Sequence, residues 1–200
     1  MTLDRLRPVA ELLLDPMVAA ADRVGLTPNG VSVVAFGFAV AAAAGFYVAT
    51  PLGYALGAVC VFANGWLDLL DGALARTQDV ESRAGDLLDH VLDRYADVVL
   101  VIGLAAGVAR YDLGLLAVTG VLMTSYLGTQ IQAVGLGREY GGLVGRADRL
   151  ALVGLTGLVA AVVAEPLGPL SVVGWLLVFF TVVGHLTALQ RFWGAWGDLA

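Results

Sequence analysis

Residues 68–94 read DLLDGALARTQDVESRAGDLLDHVLDR, and how they are understood decides the fold of the whole chain. The stretch begins where one apolar run ends and leads into another. Even so it carries Asp68, Asp71, Asp89 and Asp93 in the spacing D-x2-D-G-x2-A-R-x8-G-x3-D-x3-D. If both runs are helical, Asp68 and Asp71 are three apart and project from adjacent positions of one helix. Asp89 and Asp93, four apart, share a face of the next. Between them RTQDVESRAG is a polar turn that folds the second helix back beside the first. Four carboxylates then converge at one end of a helical hairpin.

The surroundings of that hairpin are apolar. Of 200 residues, 59% are hydrophobic and 14% charged, with a mean hydropathy of +0.85. Soluble domains average about half apolar, so an all-α integral membrane protein of one domain, residues 1–200, is expected. Lys is absent, all eleven basic residues are Arg, and 17 acids give a net charge of −6. This balance fits a high-GC or salt-adapted microbe, and codon bias alone produces the same pattern. No basic stripe is present for a nucleic-acid partner. The single Cys60 excludes an intrachain disulfide.

Apolar stretches long enough to cross a bilayer are expected near 31–50, 54–75, 87–109, 112–136, 148–164 and 168–190, six spans in all. Residues 1–26 form an amphipathic juxtamembrane helix lying in the interface, with Leu3, Leu6, Ala10, Leu13, Leu14, Met17 and Ala21 on its apolar face. TPN at 27–29 breaks the chain before the first span. With the N-terminus inside, the inner segments hold Arg5, Arg7, Arg23, Arg76, Arg83, Arg138, Arg146, Arg149 and Arg191, and the outer links hold only Arg110. The positive-inside rule therefore predicts both termini, and the acid cluster, on the cytoplasmic side of a multi-pass cell-membrane protein.

An Asp within a membrane costs about 2.5–3.5 kcal/mol, and mutual repulsion adds to that. Arg76 and Arg94 can neutralise two of the four charges. A compact all-oxygen set also suits one or two hard divalent cations, Mg²⁺ or Mn²⁺. Paired ions bridged by carboxylates serve displacement at phosphorus, where attacking and leaving oxygens both need stabilisation. Gly72 and Ala75 after Asp71, and Gly85 at the start of the next helix, leave room for a flat base or phosphate near the backbone. Singly, each such residue is ordinary helix packing, and an isolated D-x3-D pair is usually a solvated helix end. Eight fixed positions together are different: at about one in ten each, chance produces them on the order of 10⁻⁸ per starting point.

The pattern resembles the signature of the CDP-alcohol phosphotransferases, complete at Asp68, Asp71, Gly72, Ala75, Arg76, Gly85, Asp89 and Asp93. The plan of an interfacial helix followed by six spans is similar over nearly the whole chain. This resemblance implies a homodimeric membrane enzyme that moves a phosphatidyl-type group from a CDP-linked lipid to an alcohol hydroxyl and releases CMP. It implies metal ligation by Asp68, Asp71 and Asp89, with Asp93 a ligand, the general base, or both. Gly72, Ala75 and Arg76 would border the CDP moiety, with Gly85 opposite. The donor would be CDP-diacylglycerol, or CDP-archaeol in a halophilic archaeon.

The acceptor is approached through two further stretches, GLTPNGVS (25–32) and SYLGTQIQAVGLGREYGGLVGRADRL (125–150), which resemble members using phosphorylated polyols such as glycerol phosphate or inositol phosphate. Arg138, Arg146, Arg149 and Arg191 are candidates to bind an acceptor phosphate bidentately; positive-inside anchoring explains the same residues. Members with inositol phosphate acceptors often carry Lys-x-Arg-x-Glu after the Ser-Tyr. Here Gly128, Gln130 and Gln132 stand there, which leaves glycerol phosphate or another polar head group open. His90 stands where relatives commonly have Ser, and His185 is expected to be a packed, hydrogen-bonded histidine. Two other classes use intramembrane carboxylates: a cation transporter, which would hold them near the midplane among broken helices, and a metal-dependent lipid phosphatase or pyrophosphatase, which would use water in place of the alcohol.

Overall fold

The structure, a computed structural model, describes residues 7–137 and 144–199, with side chains from Leu13 onward. Among these residues it is helical throughout: α1 (Arg7–Arg23), α2 (Pro28–Val48), α3 (Pro51–Thr77), α4 (Arg83–Gly107), α5 (Tyr111–Ala133), α6 (Arg146–Val162) and α7 (Val172–Leu199). Local chemistry sets the starts. The Thr27, Thr50 and Ser82 hydroxyls each accept a bond from the backbone N–H three residues on, at 3.2, 3.1 and 3.0 Å, capping α2, α3 and α4. Pro28 and Pro51 follow the two threonines, where a missing N–H costs nothing. The TPN break is thus a cap and a helix start at once.

Helices α2, α3, α5 and α7 are long and apolar enough to cross a membrane, and the molecule is an all-α membrane protein. The six stretches expected to span overlap α2 to α7, but only four of these helices meet the length and apolarity of a crossing, and α4 and α6 differ from them. Helix α4 carries Asp86, Asp89, Asp93, Arg94 and Asp97 along its first four turns or so. Helix α6 has 17 residues, about 26 Å, slightly less than a hydrocarbon core of roughly 30 Å. Both lean on more apolar neighbours, α4 on α2 and α5, and α6 on the longer α3. Helix α7 starts later than expected, at Val172, because Pro166 and Pro169 hold a tight turn closed by Leu167 N–H to Leu170 O. The Ser171 hydroxyl then accepts from Gly174 N–H. The helix runs on to Leu199.

Without water to drive burial, membrane helices associate by close packing of small residues. A Cβ on Gly45 of α2 would lie 2.7 Å from the Gly53 carbonyl oxygen of α3, and one on Gly184 of α7 would lie 2.7 Å from the Gly120 carbonyl carbon of α5. Both contacts require glycine. The main core fills the apolar half of the bundle around Phe46, Val61, Leu104 and Leu177, each fully buried.

A second, smaller core lies at the opposite end, where α2 begins and α3 finishes. Leu14, Val18 and Ala21 of α1 pack against Val31, Leu70 and Leu74. Of the apolar face expected for this segment, Leu14 and Ala21 are buried, whereas Leu13 and Met17 are 57% and 40% exposed. The stripe turned inward is Leu14–Val18–Ala21, since α3 occupies only one side of α1; Leu3 and Leu6 lie outside the described residues. The Gln78 side chain ties this end together, donating to Asp22 Oδ1 at 2.9 Å and to Leu26 O at 3.0 Å.

Candidate active site

The signature aspartates occupy the polar end of the bundle. Asp68 and Asp71 lie in the last three turns of α3, which continues to Thr77, and Asp89 and Asp93 lie in the second and third turns of α4. The turn between the two helices is made by Gln78 and Asp79. The latter takes a left-handed conformation (φ 53°), which Asp tolerates better than most side chains. The hairpin brings carboxylate oxygens of Asp68, Asp89 and Asp93 within 4.8 Å of one another. Asp71 is 6% exposed and accepts a bond from the Ser32 hydroxyl of α2 at 2.5 Å. It therefore links the cluster to a third helix.

Helix α6 supplies the counter-charge. Arg146, its first residue, forks across the cluster, with Nη1 2.7 Å from Asp68 Oδ2 and Nη2 2.6 Å from Asp93 Oδ1. Arg94 lies 3.6 Å from Asp93 and 4.0 Å from Asp97. One turn deeper, Arg149 donates from Nη2 to Asp97 Oδ2 at 2.7 Å, and both residues are buried. Asp68, Asp71, Asp89, Asp93 and Asp97 thus meet Arg94, Arg146 and Arg149. Asp68, Asp89 and Asp93 are half-buried, carboxylates drawn so close together repel one another, and a divalent cation held between them offsets that repulsion. Three oxygen donors from separate carboxylates suit a hard ion, so Asp68, Asp89 and Asp93 fit a Mg²⁺ or Mn²⁺ site by spacing, chemistry and charge.

The remaining predicted residues divide around this centre. A Cβ on Gly72 would meet Arg76 Nη1 at 3.6 Å, so the glycine leaves open space beside that guanidinium. A Cβ on Gly85 would stand 3.2 Å from Ser82 Oγ and 3.4 Å from Asn29 Oδ1, and bareness there lets α4 start close to α2. Ala75 is half-buried on α3. Arg191 of α7 is buried and donates to the Thr124 carbonyl of α5 at 2.5 Å. Arg149 and Thr124 line a small cleft between α5, α6 and α7 that Thr187 also borders. Arg138 lies outside the described residues. His90 Nδ1 is 3.7 Å from Asp89 Oδ2, at the edge of the cluster. His185 Nδ1 is 2.8 Å from Thr181 O and packs against Gly120, the packed histidine expected.

Two participants escaped the sequence analysis. Asp97 continues the i, i+4 spacing of Asp89 and Asp93, a signal that was available but fell outside the signature. Ser32 is the last residue of GLTPNGVS, and nothing in that stretch says that its hydroxyl meets Asp71, 39 residues away.

Comparison with known proteins identifies the family. The CDP-alcohol phosphatidyltransferase family model matches residues 25–184. The archaetidylinositol phosphate synthase of Methanothermobacter thermautotrophicus is 31% identical over 202 residues, covering 98% of this chain and 95% of its own. A phosphatidylinositol phosphate synthase of Mycobacterium tuberculosis is 34% identical over 199 residues, covering 92% and 87%. The crystal structure of the Mycobacterium tuberculosis phosphatidylinositol phosphate synthase with CDP-DAG bound superposes with a TM-score of 0.78 at 28% identity, covering 92% of this chain and 93% of that one. The same synthase in complex with manganese and citrate gives 0.78 at 28% identity, covering 92% and 88%. A full signature gathered on one helical hairpin, a matching helical fold and relatives aligned from end to end leave one conclusion: the chain belongs to the CDP-alcohol phosphatidyltransferase family and is a phospholipid-synthesising membrane transferase.

Proposed function

We propose that the enzyme transfers a phosphatidyl or archaetidyl group from a CDP-linked lipid to the hydroxyl of a phosphorylated polyol, with inositol phosphate the first candidate and glycerol phosphate the second. The observation that carries it is the approach of Asp68, Asp89 and Asp93 to within 4.8 Å at the end of the bundle where Arg146, Arg149 and Arg191 also gather. Inositol phosphate ranks first because the whole-chain relatives described above are an archaetidylinositol phosphate synthase and a phosphatidylinositol phosphate synthase. The Gly128, Gln130 and Gln132 departure keeps glycerol phosphate in play.

Asp68, Asp89 and Asp93, with Asp71 completing the set, would hold Mg²⁺ or Mn²⁺, two ions by the family pattern. When bound, the metal neutralises the diphosphate and the charge that develops on the departing CMP. Asp93 takes the proton of the acceptor hydroxyl. One of its oxygens is held by Arg146 and the other is 3.6 Å from Arg94, so the carboxylate is fixed in orientation before the acceptor arrives, as a general base requires. The hydroxyl oxygen attacks the lipid-bearing phosphorus, the phosphoanhydride bond breaks, and CMP leaves with that bond's electron pair. Gly72, Ala75, Arg76 and Gly85 border the nucleotide. The acceptor phosphate falls to Arg138, Arg146, Arg149 and Arg191.

The same proposal covers the membrane arrangement. Helices α2 to α7 make six crossings, with α4 and α6 shielded by their more apolar neighbours. Helix α1 lies in the interface through its exposed Leu13 and Met17. Both termini and the acid cluster face the cytoplasm, where nine arginines collect against one at the other end. The enzyme works as a homodimer.

The test is to incubate purified protein with CDP-diacylglycerol or CDP-archaeol, Mn²⁺ or Mg²⁺, and glycerol 3-phosphate, inositol 1-phosphate, inositol or serine in turn. CMP release that depends on a phosphorylated polyol, with the matching lipid product, is expected. Release without any alcohol would instead identify a phosphatase, and ion flux in proteoliposomes without CDP-lipid a transporter.

A further inference from the structure

The stripe of acids on α4 does not stop at the signature. Asp89, Asp93 and Asp97 follow one another at four-residue intervals, yet only the first two join Asp68 within 4.8 Å. Asp97 is 5% exposed and faces α6, where its Oδ2 accepts from Arg149 Nη2 at 2.7 Å. Arg94 stands 4.0 Å from the same oxygen. A buried carboxylate of this kind is expensive unless it is paired and hydrogen-bonded.

Its partner is the more informative residue. Arg149 is 7% exposed and commits Nη2 to Asp97, while its Nε is buried with no hydrogen-bonding partner. The side chain borders the cleft between α5, α6 and α7 together with Thr124 and Thr187. Thr187 is 1% exposed, and its Oγ1 is also buried and unpartnered. Two buried polar groups left unsatisfied on the wall of one cleft cost free energy, and a single acceptor oxygen reaching into the cleft, from a water or from an oxyanion at its mouth, would recover it.

We propose that Asp97 is a positioning residue for the acceptor: by gripping one nitrogen of Arg149 it turns the rest of that guanidinium toward the cleft, and it ties the cleft to the helix that carries Asp89 and Asp93. The third acid of the stripe therefore sets the distance between the acceptor phosphate and the base, a distance on which reactivity depends steeply. The inference rests on the proposed assignment of Arg149 to the acceptor phosphate.

The test uses the full-length enzyme in detergent or proteoliposomes, with CDP-diacylglycerol, Mn²⁺ and inositol 1-phosphate, and with inorganic phosphate as a competitive inhibitor. Asp97→Asn keeps the shape and loses the charge. It is expected to raise the KM for inositol 1-phosphate about tenfold and to weaken phosphate inhibition in parallel, while the KM for CDP-diacylglycerol stays within about twofold. If Asp97→Asn does not accumulate in membranes, Asp97→Glu keeps the ion pair and displaces Arg149 by one methylene, and the acceptor KM should again rise alone. Both KM values moving together, or neither moving, would overturn the proposal. Arg149→Gln separates the two levels: an unchanged acceptor KM there removes Arg149 from acceptor binding altogether. A raised KM in Arg149→Gln with none in Asp97→Asn removes only the positioning role.

Discussion

The two ends of the helix bundle are held together by opposite means. At one end, Gly45, Gly53 and the fully buried Phe46 let α2 and α3 meet backbone to backbone, with scarcely a polar side chain involved. At the other end the same two helices are joined by Ser32 to Asp71, and α3, α4 and α6 by Arg146 reaching Asp68 and Asp93. Close packing is insensitive to ions and substrate, whereas an ion-paired cluster changes its energy whenever a charge enters or leaves. The difference shows how one bundle can be rigid where nothing happens and responsive where charged reactants must come and go.

Substitutions at the two ends should therefore fail in different ways. The largest effect is expected for Asp93→Asn, which removes the proposed base and a metal donor. Activity should fall about 10³-fold while the protein still inserts and elutes as wild type. Full activity in this variant would refute the assignment of Asp93. Next in size is Phe46→Ala at the packed end, which should cost about 3 kcal/mol of stability through the cavity it leaves. A lower Tm in detergent with undiminished specific activity per folded molecule is the expected pair of results, and a selective loss of turnover would blur the division between the ends.

Arg146→Gln probes the polar end through its ions. The bridging guanidinium and a divalent cation draw on the same oxygens of Asp68 and Asp93. Removing it should tighten Mn²⁺ binding by about tenfold, or about 1.4 kcal/mol, as read from the paramagnetic resonance of free Mn²⁺. Weaker binding would instead make Arg146 a support of the metal site. The smallest effect is expected for Ser32→Ala, which strips one hydroxyl from Asp71. A loss of about 1 kcal/mol, seen as a few-fold lower kcat/KM, would distinguish a contributing bond from an incidental one.

Much of this was legible in the chain itself. The hairpin of α3 and α4 followed from apolar runs interrupted by a polar turn, and TPN marked the boundary before α2, although α2 and α3 start at Pro28 and Pro51 rather than near 31 and 54. Convergence of acids followed from helical periodicity, because positions three and four apart share a face in any α-helix, but only Asp68, Asp89 and Asp93 come within 4.8 Å, while Asp71 pairs with Ser32. The inward stripe of α1 was only half anticipated, since the sequence marks an apolar arc but not which part of it α3 will cover.

The sequence alone determined the family, the helical architecture and the identity of the acidic residues, since each depends on spacing within one or two adjacent helices, where geometry is local and regular. Only the tertiary structure decided that Arg146 bridges Asp68 and Asp93, that Ser32 meets Asp71, and that Asp97 grips Arg149. These contacts join residues 39 to 78 positions apart. They arise from how α2, α3, α4 and α6 pack, and helical periodicity carries no information about the rotation of one helix against another.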